Sequence, residues 1–483
     1  MAQTIVIFGA SGDLTQRKLV PALYELHRKG RLPPDTRIVG FSRTPMCDEL
    51  WRDHLAGATE RLLGGRFDRH AWQAFAPLLF YQPGDLQRPE DFGRLASRLA
   101  ELEATGQPTR IFYLATAPQF YETAIAYLGA SGLAGQRGGQ GRIVVEKPFG
   151  RDAATARSLN HALHQVFAEQ QVYRIDHYLG KETVQNVLVF RLANAVFEPI
   201  WNRNYVEHVE ITAAEELTVG HRGAYYDTAG VLRDMFQNHL LQLLTLVAME
   251  APVRFEADAV RDEKVKVLRS IRPLEPADVA VHTLRGQYRG YRQEPHVDPQ
   301  SRTATFAAVR LDVENWRWQG VPFFLRSGKA MACATTQIVI QFRRPPHLLF
   351  GPGQHESNRL VIQIQPAEGI QLHLQTKVPD AGMQLRLTDL NFRFREKFAT
   401  ALPDAYQRLL LDVMLGDASL FARADEVELA WSLADPIQRT WDEHDRPELL
   451  FYEPGQWGPP ESAQWIAQHG HHWFDACPVL HEA

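Results

Sequence analysis

The sequence TIVIFGASGDL, residues 4–14, decides the fold of the first part of the chain. Residues 5–8 are apolar and residues 4–7 are all β-branched, which predicts a buried strand over residues 4–8. Gly9 and Gly12 follow, and a helical pattern begins at residue 14. Glycines at a strand-to-helix turn let the backbone approach a pyrophosphate at the positive end of the helix. The alternative is a glycine turn without a ligand, because the third glycine of the usual motif is missing.

Outward from this stretch, short β-rich runs alternate with helical patterns, which is typical of parallel βαβ units. We therefore expect a Rossmann-like α/β dinucleotide-binding domain over residues 1–175. Strand-like runs with short turns dominate the later sequence and predict an α+β domain with a large, mostly antiparallel sheet over residues 176–483. The predicted strands cover residues 4–8, 37–41, 78–81, 110–114, 142–145 and 172–175 in the first domain, and 206–213, 303–313, 337–342, 360–365 and 369–376 in the second.

The composition excludes several classes of protein. The chain has 483 residues, of which 45% are hydrophobic and 23% are charged, so it is not disordered, collagen-like or a coiled coil. A net charge of −5 provides no basic field that would attract nucleic acid. The longest strongly apolar stretch, residues 240–249, is too short to cross a bilayer, and the first residues do not resemble an export signal. We expect a cytoplasmic protein that binds neither nucleic acid nor membranes.

Cysteine and histidine placement bears on redox and metal chemistry. The three cysteines, Cys47, Cys333 and Cys477, are odd in number and far apart. This spacing predicts neither a disulfide framework nor a CxxC zinc site and favours a reducing compartment. The tail carries His469, His471 and His472, which we interpret as part of a solvated terminus rather than a metal site. We expect no metal.

The second predicted strand ends in GFSR, residues 40–43, where an NAD-binding domain places an acidic residue for the ribose hydroxyls. Here the side chains are those of Ser42 and Arg43. A guanidinium binds a 2′-phosphate bidentately, whereas a carboxylate repels it. The sequence therefore favours NADP over NAD, and the alternative is a solvated surface arginine.

A second motif at a strand end is EKPFG, residues 146–150. Lys147 follows a predicted parallel strand, and the carboxyl ends of such strands face the ligand crevice of a doubly wound sheet. Pro148 restricts the backbone and permits a cis bond, which would fix the direction of the lysine. We predict that Lys147 faces the ligands.

Chemically active side chains are densest in RIDHYLGKE, residues 174–182. His177, Tyr178 and Lys181 supply donors between a strand end and a helix N-terminus, which is a favourable site for a phosphate dianion. Asp176 is unsuited to binding phosphate. Its carboxylate is better suited to orienting a histidine.

The candidate partner is His239, in VLRDMFQNH, residues 231–239. In an α-helix it would align with Met235, on the apolar face, with Asp234 to one side. A histidine on an apolar face is usually a core residue, and that alternative stays open. Pairing with Asp176 would instead fix its tautomer and stabilise the imidazolium formed when it accepts a proton.

Further motifs extend these segments into a pattern that resembles the glucose-6-phosphate dehydrogenase family over nearly the whole chain. The motifs occur in the family's order, and RIDHYLGKE is the most specific of them. They are GASGDLTQRKL (9–19), EKPFG (146–150), RIDHYLGKE (174–182), DMFQNHLLQ (234–242), DEKVKVLR (262–269), NWRWQGVPFFLRSGK (315–329) and RLLLDVMLGD (408–417).

The resemblance implies NADP-linked oxidation of glucose 6-phosphate at C1 to 6-phosphoglucono-1,5-lactone, the entry step of the oxidative pentose phosphate pathway. It implies that His239 is the general base and that Asp176 orients it. It implies a homodimer or homotetramer formed through the sheet domain. The implied substrate-binding residues are His177, Tyr178, Lys181, Glu215, Asp234, Lys329 and Lys147, and the implied cofactor-binding residues are Gly9, Ala10, Ser11, Gly12, Asp13, Leu14, Lys18, Ser42, Arg43, Asp85, Leu86 and Lys147.

One departure from the family pattern lies after Lys329. Family members commonly have a basic residue about five positions on, whereas residues 333–335 of this chain are Cys-Ala-Thr. The alternatives are a sugar dehydrogenase of the glucose–fructose oxidoreductase type and a catalytically silent NADP-binding sensor. RIDHYLGKE argues against the first, and the presence of Asp176, His239 and Lys181 argues against the second.

Overall fold

A computed structural model describes residues 2–103, 108–347, 349–350, 356–398, 402–444 and 446–478. The chain forms two compact units. The first comprises residues 1–181, 254–261 and 403–428, and the second comprises residues 182–253, 262–402 and 429–483. No helix within the described part of the chain is both long and apolar enough to cross a membrane.

The first unit is built on a six-stranded sheet in which every neighbouring pair is parallel. Its order, β3-β2-β1-β4-β5-β6, is that of a doubly wound nucleotide-binding sheet and confirms the predicted fold. The chain reverses direction across the sheet between β1 and β4, where the ligand crevice of such a sheet lies. The strands are β1 Gln3–Phe8, β2 Thr36–Ser42, β3 Leu79–Pro83, β4 Thr109–Leu114, β5 Arg142–Val145 and β6 Val172–Arg174.

Helices cover the sheet. Because its strands are buried by these helices, their sequences are largely continuous apolar runs. All six residues of β1 are buried. Side chains between Tyr406 and Phe421 share the hydrophobic core with β1 residues such as Ile5 and Ile7. The helices of this unit are Val20–Arg28, Asp48–Leu63, Arg69–Phe75, Pro89–Leu102, Tyr121–Ala130, Ala153–Val166 and Ala405–Leu415, and a π-helix, Thr15–Leu19, precedes the first of them.

The second unit contains a nine-stranded sheet of order β14-β13-β12-β11-β7-β10-β9-β8-β15. Most neighbours are antiparallel, as predicted, but β7 pairs with β10 and β8 with β15 in parallel. The strands are β7 Val206–Ala214, β8 Thr283–Tyr288, β9 Phe306–Asp312, β10 Pro322–Gly328, β11 Thr335–Phe342, β12 Arg359–Gln365, β13 Gly369–Lys377, β14 Leu385–Arg393 and β15 Leu449–Tyr452.

Helices complete the second unit, and one of them is unusual. The helix predicted around residue 239 consists of a π-helix, Leu232–Leu240, that continues into the α-helix Leu241–Ala248. A kink at Gly230, with φ +64°, precedes it. The other helices are Glu182–Leu192, Gly223–Val231, Ala257–Ser270, Pro276–His282, Phe394–Lys397, Ala424–His444 and Glu461–Gln468, of which Ala257–Ser270 and Ala424–His444 begin in the first unit.

Two expectations about the C-terminal tail were wrong. Cys333 and Cys477 form a disulfide although 144 positions separate them. The tail also packs on the sheet instead of being solvated: the Phe474 N–H donates to Glu210 at 2.9 Å, and the His471 ring lies 4.3 Å from that of His208. Packing of the tail brings together two cysteines whose spacing in the sequence gave no sign of pairing.

Candidate active site

The turn after β1 requires glycine at its first position. Gly9 has φ +89°, and a Cβ added there would lie 2.2 Å from the carbonyl oxygen of Ala115. Its N–H donates to Phe41 O at 2.9 Å, and its own carbonyl accepts from Gly12 N at 2.9 Å. The strand-to-helix connection is therefore a tight turn whose missing side chain leaves room for a close backbone approach.

A cavity of about 240 Å³ opens beside this turn, at the carboxyl ends of the parallel strands. It brings together seven of the residues predicted to bind the cofactor: Gly9, Ser11, Gly12, Ser42, Arg43, Asp85 and Leu86. The sequence analysis missed Phe41, Thr44, Gly84, Ala115, Thr116 and Phe120, which also line it. Ala115 and Thr116 directly follow β4, so the rule that ligands lie at the carboxyl ends of strands could have identified them. The predicted residues Ala10, Asp13, Leu14, Lys18 and Lys147 do not line this cavity.

Hydroxyl groups are grouped where β2 ends, and the acidic residue that lines the same cavity, Asp85, follows β3 rather than β2. Ser42 Oγ lies 3.0 Å from Ser11 Oγ and 2.8 Å from the Tyr81 hydroxyl. Thr44 Oγ1 donates to Ser11 Oγ at 3.1 Å, and Arg43 is exposed beside them. The hydroxyl groups and Arg43 at the end of β2 are chemically compatible with a phosphorylated ribose.

Three tyrosine hydroxyls donate hydrogen bonds to Glu146, the first residue of the EKPFG segment. The Glu146 carboxylate accepts hydrogen bonds from Tyr113 at 2.6 Å and Tyr406 at 3.1 Å. Tyr121 donates to the Glu146 carbonyl at 3.2 Å. Burial raises the pKa of Glu146 above its ordinary value. The peptide bond between Lys147 and Pro148 is cis, an isomer that the sequence analysis had allowed for at this proline.

The segment after β6 folds back on itself. Asp176 is buried, and its Oδ1 accepts the Tyr178 N–H at 2.9 Å. The Lys181 N–H donates to Tyr178 O at 3.1 Å, and Lys181 Nζ lies 4.4 Å from the centre of the Tyr178 ring. The His177 and Tyr178 rings are 5.2 Å apart. The three residues predicted to hold a phosphate are therefore neighbours in the folded first unit.

In the second unit, two parallel strands bring an acid and a base together. Gly328 at the end of β10 pairs with Ala214 at the end of β7, so the next residues, Lys329 and Glu215, are adjacent. Their side chains form an ion pair. Lys329 Nζ also lies 3.5 Å from Asp234 Oδ2, and both of these side chains are almost completely buried. Three predicted substrate-binding residues thus form one charged cluster.

The π-helix carries both Asp234 and His239. In a π-helix hydrogen bonds join residues five apart, so one hydrogen-bonded turn separates these two side chains. The α-helical spacing that aligned His239 with Met235 was wrong for this segment. His239 is 1% exposed, and Asp234 is 3% exposed. Short π segments within helices are frequent at functional sites.

Comparison with known proteins matches both parts of the chain to models of one protein family. Residues 6–186 match the family model for the glucose-6-phosphate dehydrogenase NAD binding domain, and residues 188–474 match that for its C-terminal domain. Glucose-6-phosphate 1-dehydrogenase of Aggregatibacter actinomycetemcomitans is 44% identical, over 97% of this chain and 96% of the relative. The Mycolicibacterium smegmatis enzyme of the same name is also 44% identical, over 97% and 96%.

Solved structures extend the match to three dimensions. A glucose-6-phosphate dehydrogenase in complex with its substrate glucose-6-phosphate superposes with a TM-score of 0.91, at 36% identity, over 98% of each chain. The glucose-6-phosphate 1-dehydrogenase of Mycobacterium avium has a TM-score of 0.87, at 34% identity, over 100% of this chain and 99% of its own. This chain therefore belongs to the glucose-6-phosphate dehydrogenase family.

Proposed function

We propose that the protein oxidises glucose 6-phosphate at C1 to 6-phosphoglucono-1,5-lactone with transfer of hydride to NADP⁺, the first step of the oxidative pentose phosphate pathway. The observation that carries this proposal is the full-length family match, including a relative solved with glucose 6-phosphate. We also propose a homodimer or homotetramer in the cytoplasm, which rests on family membership alone, because the Cys333–Cys477 disulfide removes the cysteine argument for a reducing compartment.

In this proposal His239 is the general base. Hydride can leave C1 only as the C1 hydroxyl loses its proton, so the reaction needs a positioned acceptor. A buried imidazole suits this role when a carboxylate fixes its tautomer and stabilises its protonated form. We assign the orienting role to Asp176, whose buried carboxylate is itself held by the Tyr178 N–H. Together the two residues supply proton transfer without a metal.

The charged side chains have separate tasks at the two ends of the sugar. We assign the phosphate to His177, Tyr178 and Lys181, because donors and a cation attract a dianion. We assign the glucose hydroxyls to Glu215 and Asp234, whose oxygens accept hydrogen bonds. Lys329 keeps these carboxylates in place through its ion pairs with both. Anchoring the far end of the sugar would bring C1 to the same position in every turnover.

The cofactor would be held by the cavity beside the Gly9 turn. The absence of a side chain at Gly9 and the hydroxyls around Ser42 fit a dinucleotide there, and the bound NADP⁺ would supply the hydride acceptor. We assign Arg43 to the 2′-phosphate. The remaining predicted contacts are Ala10, Ser11, Gly12, Asp13, Leu14, Lys18, Asp85 and Leu86, with Lys147 shared between cofactor and substrate.

The test is the rate of absorbance increase at 340 nm with glucose 6-phosphate or glucose, each combined with NADP⁺ or NAD⁺. We expect the highest kcat/KM with glucose 6-phosphate and NADP⁺. An Arg43→Gln variant should lose most of the preference for NADP⁺ over NAD⁺, because it removes the charge but keeps similar bulk. A preference for unphosphorylated glucose would favour the glucose–fructose oxidoreductase type. Cofactor binding without any reduction would favour the silent sensor.

A further inference from the structure

A second cavity, of about 410 Å³, lies within the second unit. Among the described residues that line it, none belongs to the sugar or cofactor sites proposed above. Its walls come from the kink at Gly230, from β8, from the loop before β9 and from the helix Ala424–His444. The volume lies within the usual range of small-molecule sites.

Three arginines line this cavity, and they come from three different elements. Arg285 of β8 is 3% exposed; its Nε donates to Pro447 O at 2.8 Å, and its guanidinium lies 5.8 Å from the centre of the Trp441 ring. Arg302, in the loop before β9, is exposed. Arg233 lies at the start of the π-helix and donates to Thr228 O at 3.2 Å. The cavity thus has one buried guanidinium, one accessible to solvent and a third between them in exposure.

The two aspartates that line the cavity are hydrogen-bonded within its walls. Asp227 accepts from the Tyr291 hydroxyl at 2.9 Å and from Ser301 Oγ at 2.5 Å. Asp442 accepts from Gln438 Nε2 at 2.9 Å. Arginine is thus the more frequent charged side chain in the lining, three against two, and guanidinium groups are suited to binding an anion.

Hydrogen bonds join the walls of the cavity to one another. The Val231 N–H donates to Ala304 O at 3.0 Å, and Thr303 Oγ1 donates to Asp227 O at 2.7 Å. These bonds join the kink to the loop that carries Arg302. A site that is already formed loses less conformational entropy when it binds a ligand.

We propose that this cavity is a second anion-binding site, which takes a small phosphorylated metabolite and binds its phosphoryl group with Arg285 and Arg302. Planar guanidinium groups match the oxygens of a phosphate bidentately, which makes arginine the preferred residue for this recognition. Trp441 adds an apolar surface beside the buried arginine. The chemistry is shared by sugar phosphates, nucleotides and inorganic phosphates.

Isothermal titration of the full chain with pyrophosphate tests the proposal. We expect the Arg302→Glu substitution to lower the affinity for pyrophosphate at one site per chain roughly tenfold or more, because a charge-assisted contact is replaced by repulsion. Arg302 is exposed, so the variant should fold and keep the wild-type kcat with glucose 6-phosphate. The matched control is Arg344→Glu, at an exposed arginine that does not line the cavity.

Titrations with inorganic phosphate and ATP identify which class of phosphorylated ligand the site prefers. Tighter binding of ATP than of pyrophosphate at the Arg302-dependent site would support a nucleotide ligand, and equal binding would support recognition of the phosphate groups alone. The proposal is overturned if wild type, Arg302→Glu and Arg344→Glu bind pyrophosphate with the same affinity and the same number of sites.

Discussion

Lys329 shows how single residues acquire a role that the sequence only suggests. In the sequence it is one more cation after an apolar run. In the fold it is almost completely buried and joins Glu215 to Asp234. The connection could not be predicted, because it depends on the parallel pairing of β7 with β10 across 114 residues. The hydrogen bonds from Tyr113 and Tyr406 to Glu146 could not be predicted either, because the sequence does not show which partner a buried tyrosine hydroxyl will find.

The proposed base is tested by His239→Asn. Loss of the proton acceptor should lower kcat by about 10²–10⁴-fold, the usual contribution of general base catalysis, and leave the KM for glucose 6-phosphate nearly unchanged. Steady-state kinetics measure both constants. The control is His161→Asn, at an exposed histidine of the helix Ala153–Val166. A kcat close to that of the wild type would remove His239 from the mechanism.

The phosphate assignment is tested by Lys181→Ala. Loss of one charge-assisted contact should raise the KM for glucose 6-phosphate roughly 10- to 100-fold, with a smaller effect on kcat. Lys181→Arg should recover part of the loss because the positive charge is kept. Lys377→Ala, at an exposed lysine of β13, is the control. An unchanged KM in Lys181→Ala would contradict the role.

At the scale of elements, the strands that were predicted are present, but β8, β10, β14 and β15 were missed, and the helix around residue 239 was not the α-helix expected. β1 and the Gly9 turn were predictable from local sequence. Apolar β-branched residues favour a strand, and the glycine that follows them favours a turn. The π-helix Leu232–Leu240 has an amphipathic pattern that an α-helix would also show. The π-helix buries both Asp234 and His239, and its wider turn was not predictable from a pattern that both helix types share.

The tail should make stability depend on pH. Burial first, and then nearby positive groups that include His208 and Arg310, lower the pKa of His471 to about 4 from an ordinary value of 6.5. The folded state therefore favours the neutral ring, and its stabilising contribution is lost as pH falls from 6.5 towards 4. Melting temperatures across this range should decline less steeply in His471→Gln than in the wild type. His161→Gln, at an exposed histidine of the helix Ala153–Val166, should follow the wild type, and identical slopes in all three proteins would contradict the account.

The disulfide should stabilise the second unit. Because it closes a loop of 144 residues, Cys477→Ser should lower the free energy of unfolding by about 2–4 kcal/mol, chiefly by freeing the unfolded chain. Denaturant unfolding under non-reducing conditions measures the loss. Cys47→Ser, at an exposed free cysteine, is the matched control. The bond has no stabilising role if both variants unfold at the same denaturant concentration.

At the scale of the whole molecule, the two kinds of sheet were predictable and the path of the chain was not. Alternating strands and helices indicate a parallel sheet, and successive strands indicate an antiparallel one. Residues 403–428, however, return to the first unit, where Leu409 and Val413 join its core. An apolar helical pattern predicts that a helix is buried without showing which core buries it. Long-range assembly of this kind also placed Cys333 beside Cys477.

The most direct test of the central claim, oxidation of glucose 6-phosphate at C1, uses substrate that carries deuterium at C1. The enzyme is incubated with this sugar and NADP⁺, and the reduced coenzyme is analysed by mass spectrometry. We predict that each reduced coenzyme molecule gains one deuterium, because the hydrogen on C1 leaves as hydride. Reduced coenzyme without deuterium, or no reduction at all, would contradict the account.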